Sequence, residues 1–355
     1  MSKIYINYGS DAQAMTRALM DHADIASMLN PGTKVVIKPN LVVSRTADDG
    51  ATTHPEIVEG IVAYLQAHDI HDITIAEGAW VGEGSTSRAF KKCGYYDIGK
   101  KYGVDVIDTK NDRAVDRPFR DMSLRLCETP LNADFLINVP VLKGHCQTNM
   151  TCCLKNLKGC IPDSEKRRYH SLGLDKPIAA LGTVLRPHLH IIDSICGDLT
   201  FEEGGNPVES NRIMLGFDPV LLDSYGARLM GYRPDEIGHL RLAQQYGAGE
   251  FVDDATEIIE MNAENKPKTA PVRSSIVKRL ASYIDEDSAC SACYANLVFA
   301  LNNTNRKPTE KLKIGQGWRG KQCEGMGIGN CVSGCSRHVR GCPPTAVDII
   351  DFLEE

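Results

Sequence analysis

Short apolar runs alternating with helix-period segments constrain residues 1–250 more than any other feature of this chain. Ile4–Ile6, Val35–Lys38, Ile73–Ala76, Val104–Ile107, Phe135–Val139 and Leu189–Ile192 have the length and composition of buried strands. Helical patterns fall between several of them. Ala12–Leu29 is one; His54–His68 is a second, with Pro55 suited to a first helical turn; Ser85–Tyr102 is a third, interrupted near Gly94. Pro219–Gly231 and Pro234–Tyr246 add two more. Such alternation builds an α/β domain on a largely parallel sheet with flanking helices. Asn262–Ser275 is polar, aperiodic and carries two prolines, and reads as a linker. The expected organisation is therefore an α/β domain over 1–261, a linker over 262–275 and a separate unit over 276–355, beginning with a short helix at Ile276–Ile284.

That last unit is set apart by its cysteines. The chain has 13, and six of them (Cys290, Cys293, Cys323, Cys331, Cys335 and Cys342) fall after residue 289. No apolar run approaches the roughly 18 residues of a membrane span, and the N-terminus lacks a basic start followed by an apolar core. The expected setting is the cytoplasm, with reduced thiols, where clustered cysteines suggest metal ligation before disulfides. Cys290-x2-Cys293 can chelate one centre. Asp287 and Ser288 are good helix caps, and the apolar stretch behind them puts the pair at a helix N-terminus, whose dipole favours thiolate. Cys331-x3-Cys335-x6-Cys342 follows, ending in Cys-Pro-Pro. The Cys-Pro ending and the Gly-rich surroundings, with eight glycines from Gly315 to Gly341, favour a [4Fe-4S] cluster over structural zinc. The glycines also argue for an irregular loop. The chosen ligands are Cys290, Cys293, Cys331 and Cys342. Cys335 is the nearest rival, and Cys323 is read as a bystander thiol. Four protein thiolates suit electron transfer, whereas three leave an iron open to substrate.

In open parallel sheets ligands bind beyond the carboxyl ends of the strands. The expected strand tips carry Lys38-Pro39-Asn40, Glu77-Gly78, the segment from Pro140 through Lys143 and His145, and Asp193-Ser194. Lys155-Asn156-Leu157-Lys158-Gly159 and Lys166-Arg167-Arg168-Tyr169-His170 add cations to a chain of net charge −6. Convergent cations in an acidic chain point to a small anionic ligand. Lys38, Asn40, Lys155 and Asn156 are its candidate binding groups. Lys143, His145 and His170 are the candidate catalytic groups, with a histidine moving the proton. Cys146, Cys152, Cys153 and Cys160 match no ligand spacing and read as packed core. Forty basic against 46 acidic side chains argue against nucleic acid. Phosphate-loop, dinucleotide-fingerprint and Gly-x-Ser-x-Gly patterns are missing from the sequence.

Lys38-Pro39-Asn40, Thr53-His54-Pro55, Glu77-Gly78, Gly94-Tyr95, Asn138–His145, Leu154–Gly159 and Asp223 together resemble the "domain of unknown function 362" family over about residues 33–250. The resemblance implies an iron–sulfur protein of a family with no settled reaction, its cysteine segment here stretched rather than compact. Three functions are then weighed. The favoured one is a cytoplasmic oxidoreductase from an anaerobic setting, acting on an anionic organic substrate and exchanging electrons with a protein partner. The others are a ferredoxin-like electron carrier and a non-redox hydro-lyase or isomerase with an open iron.

Overall fold

The computed structural model describes residues 2–199, 201–205, 207–267 and 279–355. Eight strands form the main sheet, in the order Glu257–Glu260, Lys3–Tyr8, Pro207–Gly216, Leu189–Asp198, Phe135–Val139, Val35–Pro39, Ile73–Glu77, Asp105–Asp108. All run the same way except Pro207–Gly216, which is antiparallel to both neighbours. Both faces are buried. Val35, Ile37, Ile73, Ile75 and Ile137 pack on one side under the helices Ala12–His22, Pro55–Ala67 and Tyr95–Tyr102. Val36, Ala76, Leu136 and Ile192 pack on the other under Asp175–Val184, Pro219–Leu229 and Gly238–Gln245. This two-sided burial is why the strands read as continuous apolar runs.

Several expected boundaries shift for local reasons. The first helix stops at His22, because Asp24 turns left-handed at φ 50° and only a 3-10 turn, Ile25–Met28, follows. Gly94, at φ 77°, divides Ser87–Lys92 from Tyr95–Tyr102, a backbone angle that suits glycine. The strand expected over Leu189–Ile192 continues to Asp198, so Asp193 and Ser194 lie inside it rather than at its tip. Asp193 accepts from the His54 backbone N–H and pairs with its Nδ1, both at 2.8 Å, which fixes the start of helix Pro55–Ala67.

The cysteine-rich unit corrects the expectation of an irregular loop. Ile284–Glu286, Leu312–Ile314, Cys323–Ile328 and Cys335–Val339 pair in that order as a four-stranded parallel sheet. Helices Ser291–Asn303 and Ala346–Glu354 supply its other layer, and Leu297, Val298, Leu301, Ile314, Ile328 and Ile349 form a shared core. Burial of these few large residues outweighs the poor strand propensity of the glycines. Ile284 begins a strand rather than ending a helix. Residues 276–278 of that expected helix, and 268–275 of the expected linker, lie outside the described residues. Asn262, the linker's first residue, is tied to the main sheet through both backbone groups of Tyr8. Cys146 and Phe201 join the core of the small sheet, so the two units pack as one body.

Candidate functional site

In the main sheet the chain runs outward through Val35–Pro39, Ile73–Glu77 and Asp105–Asp108, then crosses to Phe135–Val139 on the other side of Val35–Pro39. Ligands favour such a switch point. In the small sheet, Cys290 and Cys293 follow the first strand, Cys331 the third and Cys342 the fourth, so all four leave its carboxyl edge. The carboxyl edges of both sheets open on one cavity of about 220 Å³. Its walls include Asn40, Lys143, His145, Lys155, Asn156 and His170 from the α/β domain, and Cys290, Cys293, Cys331 and Cys342 from the small unit. Of the candidate binding, catalytic and cluster-ligand residues, Lys38 alone does not line it, and Asp193 and Ser194, expected at a strand tip, do not line it either.

Lys38 has a different task. It is wholly buried, and its Nζ binds Glu77 Oε2 at 2.5 Å, the Pro39 carbonyl at 2.8 Å and Asn156 Oδ1 at 3.0 Å. With all three protons spent inside the protein, it corrects the expectation of a substrate-binding lysine. Asn156 also joins Asn40 Nδ2 (2.9 Å) and Asn138 Oδ1 (2.8 Å), so it is a hub, while Asn40 Oδ1 remains buried without a partner.

Asp223 explains how the cationic wall is held. Its carboxylate accepts the backbone N–H groups of Cys153 (2.7 Å) and Leu154 (3.1 Å), capping the short helix Cys153–Asn156 from the neighbouring helix Pro219–Leu229. That fixes the direction of Lys155, Asn156 and Lys158. Asp223→Ala leaves two buried N–H groups unpaired and is expected to cost about 2–5 kcal/mol, read as a lower urea midpoint with unchanged slope. Lys155 and Lys158 have no hydrogen-bond partner among the described residues, and burial lowers the Lys155 pKa to about 8. Lys143 donates to the carbonyls of Ala51 and Glu202 (2.8 Å to the latter), and burial lowers its pKa to about 7.

The two histidines face the cavity in complementary forms. His145 Nδ1 accepts the N–H groups of Gln147 (3.1 Å) and Thr148 (3.2 Å), so its proton sits on Nε2, 3.3 Å from Glu202 Oε1 and off hydrogen-bond alignment. His170 bonds the backbone of Ala289, and its buried Nδ1 has no partner. Burial and the nearby lysines hold both rings well below the usual imidazole pKa, and so neutral. One ring thus carries a buried N–H donor and the other a buried lone pair, neither with a hydrogen-bond partner among the described residues. His145, Cys146 and Glu202 also bring ligand-type atoms within 4.8 Å of one another. The proton on Nε2 argues against a metal there. Cys152, Cys153 and Asp223 form a second such group, sealed in the core around the helix cap.

At the cysteine end, Cys323 and Cys335 are joined to each other across adjacent strands, with Cα atoms 4.5 Å apart. This corrects both the reading of Cys323 as a bystander and the expectation that every thiol is reduced, and it removes Cys335 as a rival ligand. Cys290 caps helix Ser291–Asn303 and Cys293 lies in its first turn, as the sequence suggests, although Cys290 itself, not Asp287 or Ser288, is the cap residue. Burial and the neighbouring sulfurs push the Cys290 and Cys293 thiols up. Gln316 Nε2 donates toward Cys290 Sγ at 3.7 Å and Arg319 Nε toward Cys331 Sγ at 3.4 Å. Gly329, at φ 92°, turns the backbone beside Cys293 in a conformation that favours glycine.

Sequence reasoning missed Glu202 and Glu203, which also line the cavity, Glu202 beside Lys143 and His145. Burial and Glu202 raise the Glu203 pKa to about 7. Their signal was an acidic pair directly before Gly204-Gly205, a turn beyond a strand end.

Comparison with known proteins places this geometry in a family. A curated relative, the thylakoid-associated protein sll1697 of Synechocystis sp., is 24% identical over 268 residues, 74% of each chain. Two solved structures share part of the architecture. One is the lactate racemase apoprotein from Thermoanaerobacterium thermosaccharolyticum (13% identity, TM-score 0.39, 68% of this chain and 56% of that one). The other is a Thermotoga maritima protein (11% identity, TM-score 0.40, 66% and 60%). This chain therefore spans less than two thirds of either solved chain, and at those scores neither likeness bears on function. No helix among the described residues is long and apolar enough to cross a membrane. The family model described as "Domain of unknown function (DUF362)" matches residues 35–228, more than half of the chain, and the protein belongs to that family.

Proposed function

We propose that this protein is an iron–sulfur oxidoreductase that binds a small anionic organic substrate between its two sheets. One observation carries the reading: four cysteines from three loops of the small sheet share a cavity wall with free lysines and two neutral histidines from the main sheet. The donor set suits iron and sulfide. A single zinc ion with Zn–S near 2.3 Å draws its sulfurs to roughly 3.8 Å of one another. Among the described residues no three of these four sulfurs fall within 4.8 Å of each other, wider than one zinc ion draws them and compatible with a larger inorganic core. Four crowded thiolates also repel one another, which a cationic core relieves. Cys290, Cys293, Cys331 and Cys342 would hold a [4Fe-4S] cluster, which supplies one-electron transfer.

The remaining roles follow from the protein's own atoms. Lys155 and Lys158 bind the oxygens of a carboxylate or phosphate. His145 donates a hydrogen bond through Nε2–H, and His170 accepts a proton at Nδ1. Partial burial of the cavity between the two sheets strengthens each contact. A pure electron carrier has no need of this wall of unpartnered polar groups.

Two variants test the substrate side. With the anaerobic protein and a panel of small carboxylates and phosphates followed by calorimetry, Lys158→Met is expected to weaken binding of the accepted anion at least tenfold. His170→Asn is expected to leave binding intact and remove turnover. Binding unchanged in Lys158→Met would contradict the assignment. The pH dependence has a fixed sign. Lys155 must be protonated to attract an anion, so affinity holds below about pH 8 and falls by up to tenfold per unit above it. A pH-independent affinity from 7 to 9.5 would count against Lys155 as a contact.

A further inference from the structure

Charge is distributed unevenly along this chain. The whole protein has a net charge of −6, yet residues 305–342 contain eight Lys or Arg and only Glu310 and Glu324 as acids. Fold topology concentrates part of that excess. Because the small sheet is wholly parallel, the loops after its strands emerge at one edge: Arg340 lies on the loop that carries Cys342, whereas Arg319 and Lys321 lie on residues 315–322, after the second strand, a loop that carries none of the four cysteines. All three cations are exposed, and so is Cys342. Arg319 spans the two features, with its Nε on Cys331 Sγ. Arg340 has no hydrogen bond or ion pair among the described residues. Lys321 meets Asp287 at 3.5 Å, both half exposed, and also lies 5.5 Å from the ring of Trp318, over which Lys313 stands at 5.7 Å. Asp287 is the acidic side chain paired on this rim. Other charges near the cysteines, Lys158 and Glu203, face inward to the cavity.

We propose that the rim of Arg319, Lys321 and Arg340 around Cys331 and Cys342 is a docking surface for an acidic, one-electron carrier protein. This rests on the iron–sulfur reading above and names the partner that it requires. The surface is where the four-cysteine site comes closest to solvent, so a carrier seated there has the shortest electron path. Its charge is opposite to that of an acidic carrier, which raises the encounter rate and sets the orientation. Passage of one electron leaves the carrier oxidised and the centre reduced, with no bond made or broken. A membrane surface is disfavoured because the basic residues sit on loops rather than on an amphipathic helix.

The test uses the full chain and a strongly acidic [2Fe–2S] ferredoxin as probe, with binding measured by calorimetry at 20 and 300 mM salt. Iron and sulfide are assayed on the same preparations. Binding is expected at low salt and to weaken at least tenfold at high salt, as screening demands. The double variant Lys321→Glu/Arg340→Glu, which touches no sulfur, is expected to weaken it at least tenfold at low salt. Reversal of two exposed lysines on the α/β domain, Lys91→Glu/Lys92→Glu, is expected to have little effect. Equal binding by the rim variant, or no binding by an iron-loaded chain, would overturn the proposal. So would capture by phosphatidylglycerol vesicles or DNA, lost in the rim variant, without affinity for ferredoxin. Rim-dependent binding by a chain that never holds iron would leave the docking surface standing and sink the iron–sulfur reading instead.

Discussion

Replacing Cys331 with alanine in protein prepared without oxygen is expected to strip most of the iron and sulfide from the chain and to abolish its brown colour. The same outcome is expected for Cys290, Cys293 and Cys342. Each sulfur lies on the cavity wall, and each leaves the carboxyl edge of the same sheet. Cys323→Ala and Cys335→Ala make the contrast. Those sulfurs are joined to each other, between strands rather than in the loops that face the cavity. Their loss is expected to lower stability while iron content stays near that of the parent. An equal loss of iron in all six variants would show that the metal depends on the fold of the unit rather than on four particular thiolates.

Lys38→Met is expected to be among the most destabilising single changes in the α/β domain, at about 3–5 kcal/mol. Lys38 and Glu77 are both buried and meet at 2.5 Å. Removing the lysine leaves a carboxylate in the interior whose remaining hydrogen bond comes from the Gly78 backbone N–H at 2.7 Å. The double variant Lys38→Met/Glu77→Gln removes the orphaned charge and is expected to recover a large part of the loss. Urea unfolding of the four proteins in this cycle reads the effect directly. If Lys38→Met kept its stability and lost only affinity for an anion, the lysine would be a ligand contact after all.

Lys38 also illustrates what the sequence made legible. A lysine at the end of an apolar run marks a strand tip, and the strand ends at Pro39, one residue past the expected Lys38. Its partner could not be read, because Glu77 is 39 residues away on the neighbouring strand and Asn156 is 118 away. His145, Lys155 and His170 were legible for the opposite reason: each sits in a local cluster of polar residues, and each does face the cavity. Glycine count misled at residues 315–341, because composition speaks to local preference while Ile314 and Ile328 are buried by helices distant in sequence. The four cysteines follow from spacing, a helix N-terminus behind Cys290 and Cys293, Gly-rich surroundings and the Cys-Pro ending, none of which separates Cys331 from Cys335. Topology then separates Cys331 from Cys335, four residues apart, by placing one in a loop at the strand edge and the other inside a strand.

The most direct measurement is a count of iron and acid-labile sulfide on anaerobically purified protein, followed by electron paramagnetic resonance after dithionite reduction. A four-thiolate cubane predicts close to four of each per chain and a reduced signal of spin one half. One zinc per chain, or thiols that remain metal-free after reconstitution with iron and sulfide, would contradict it.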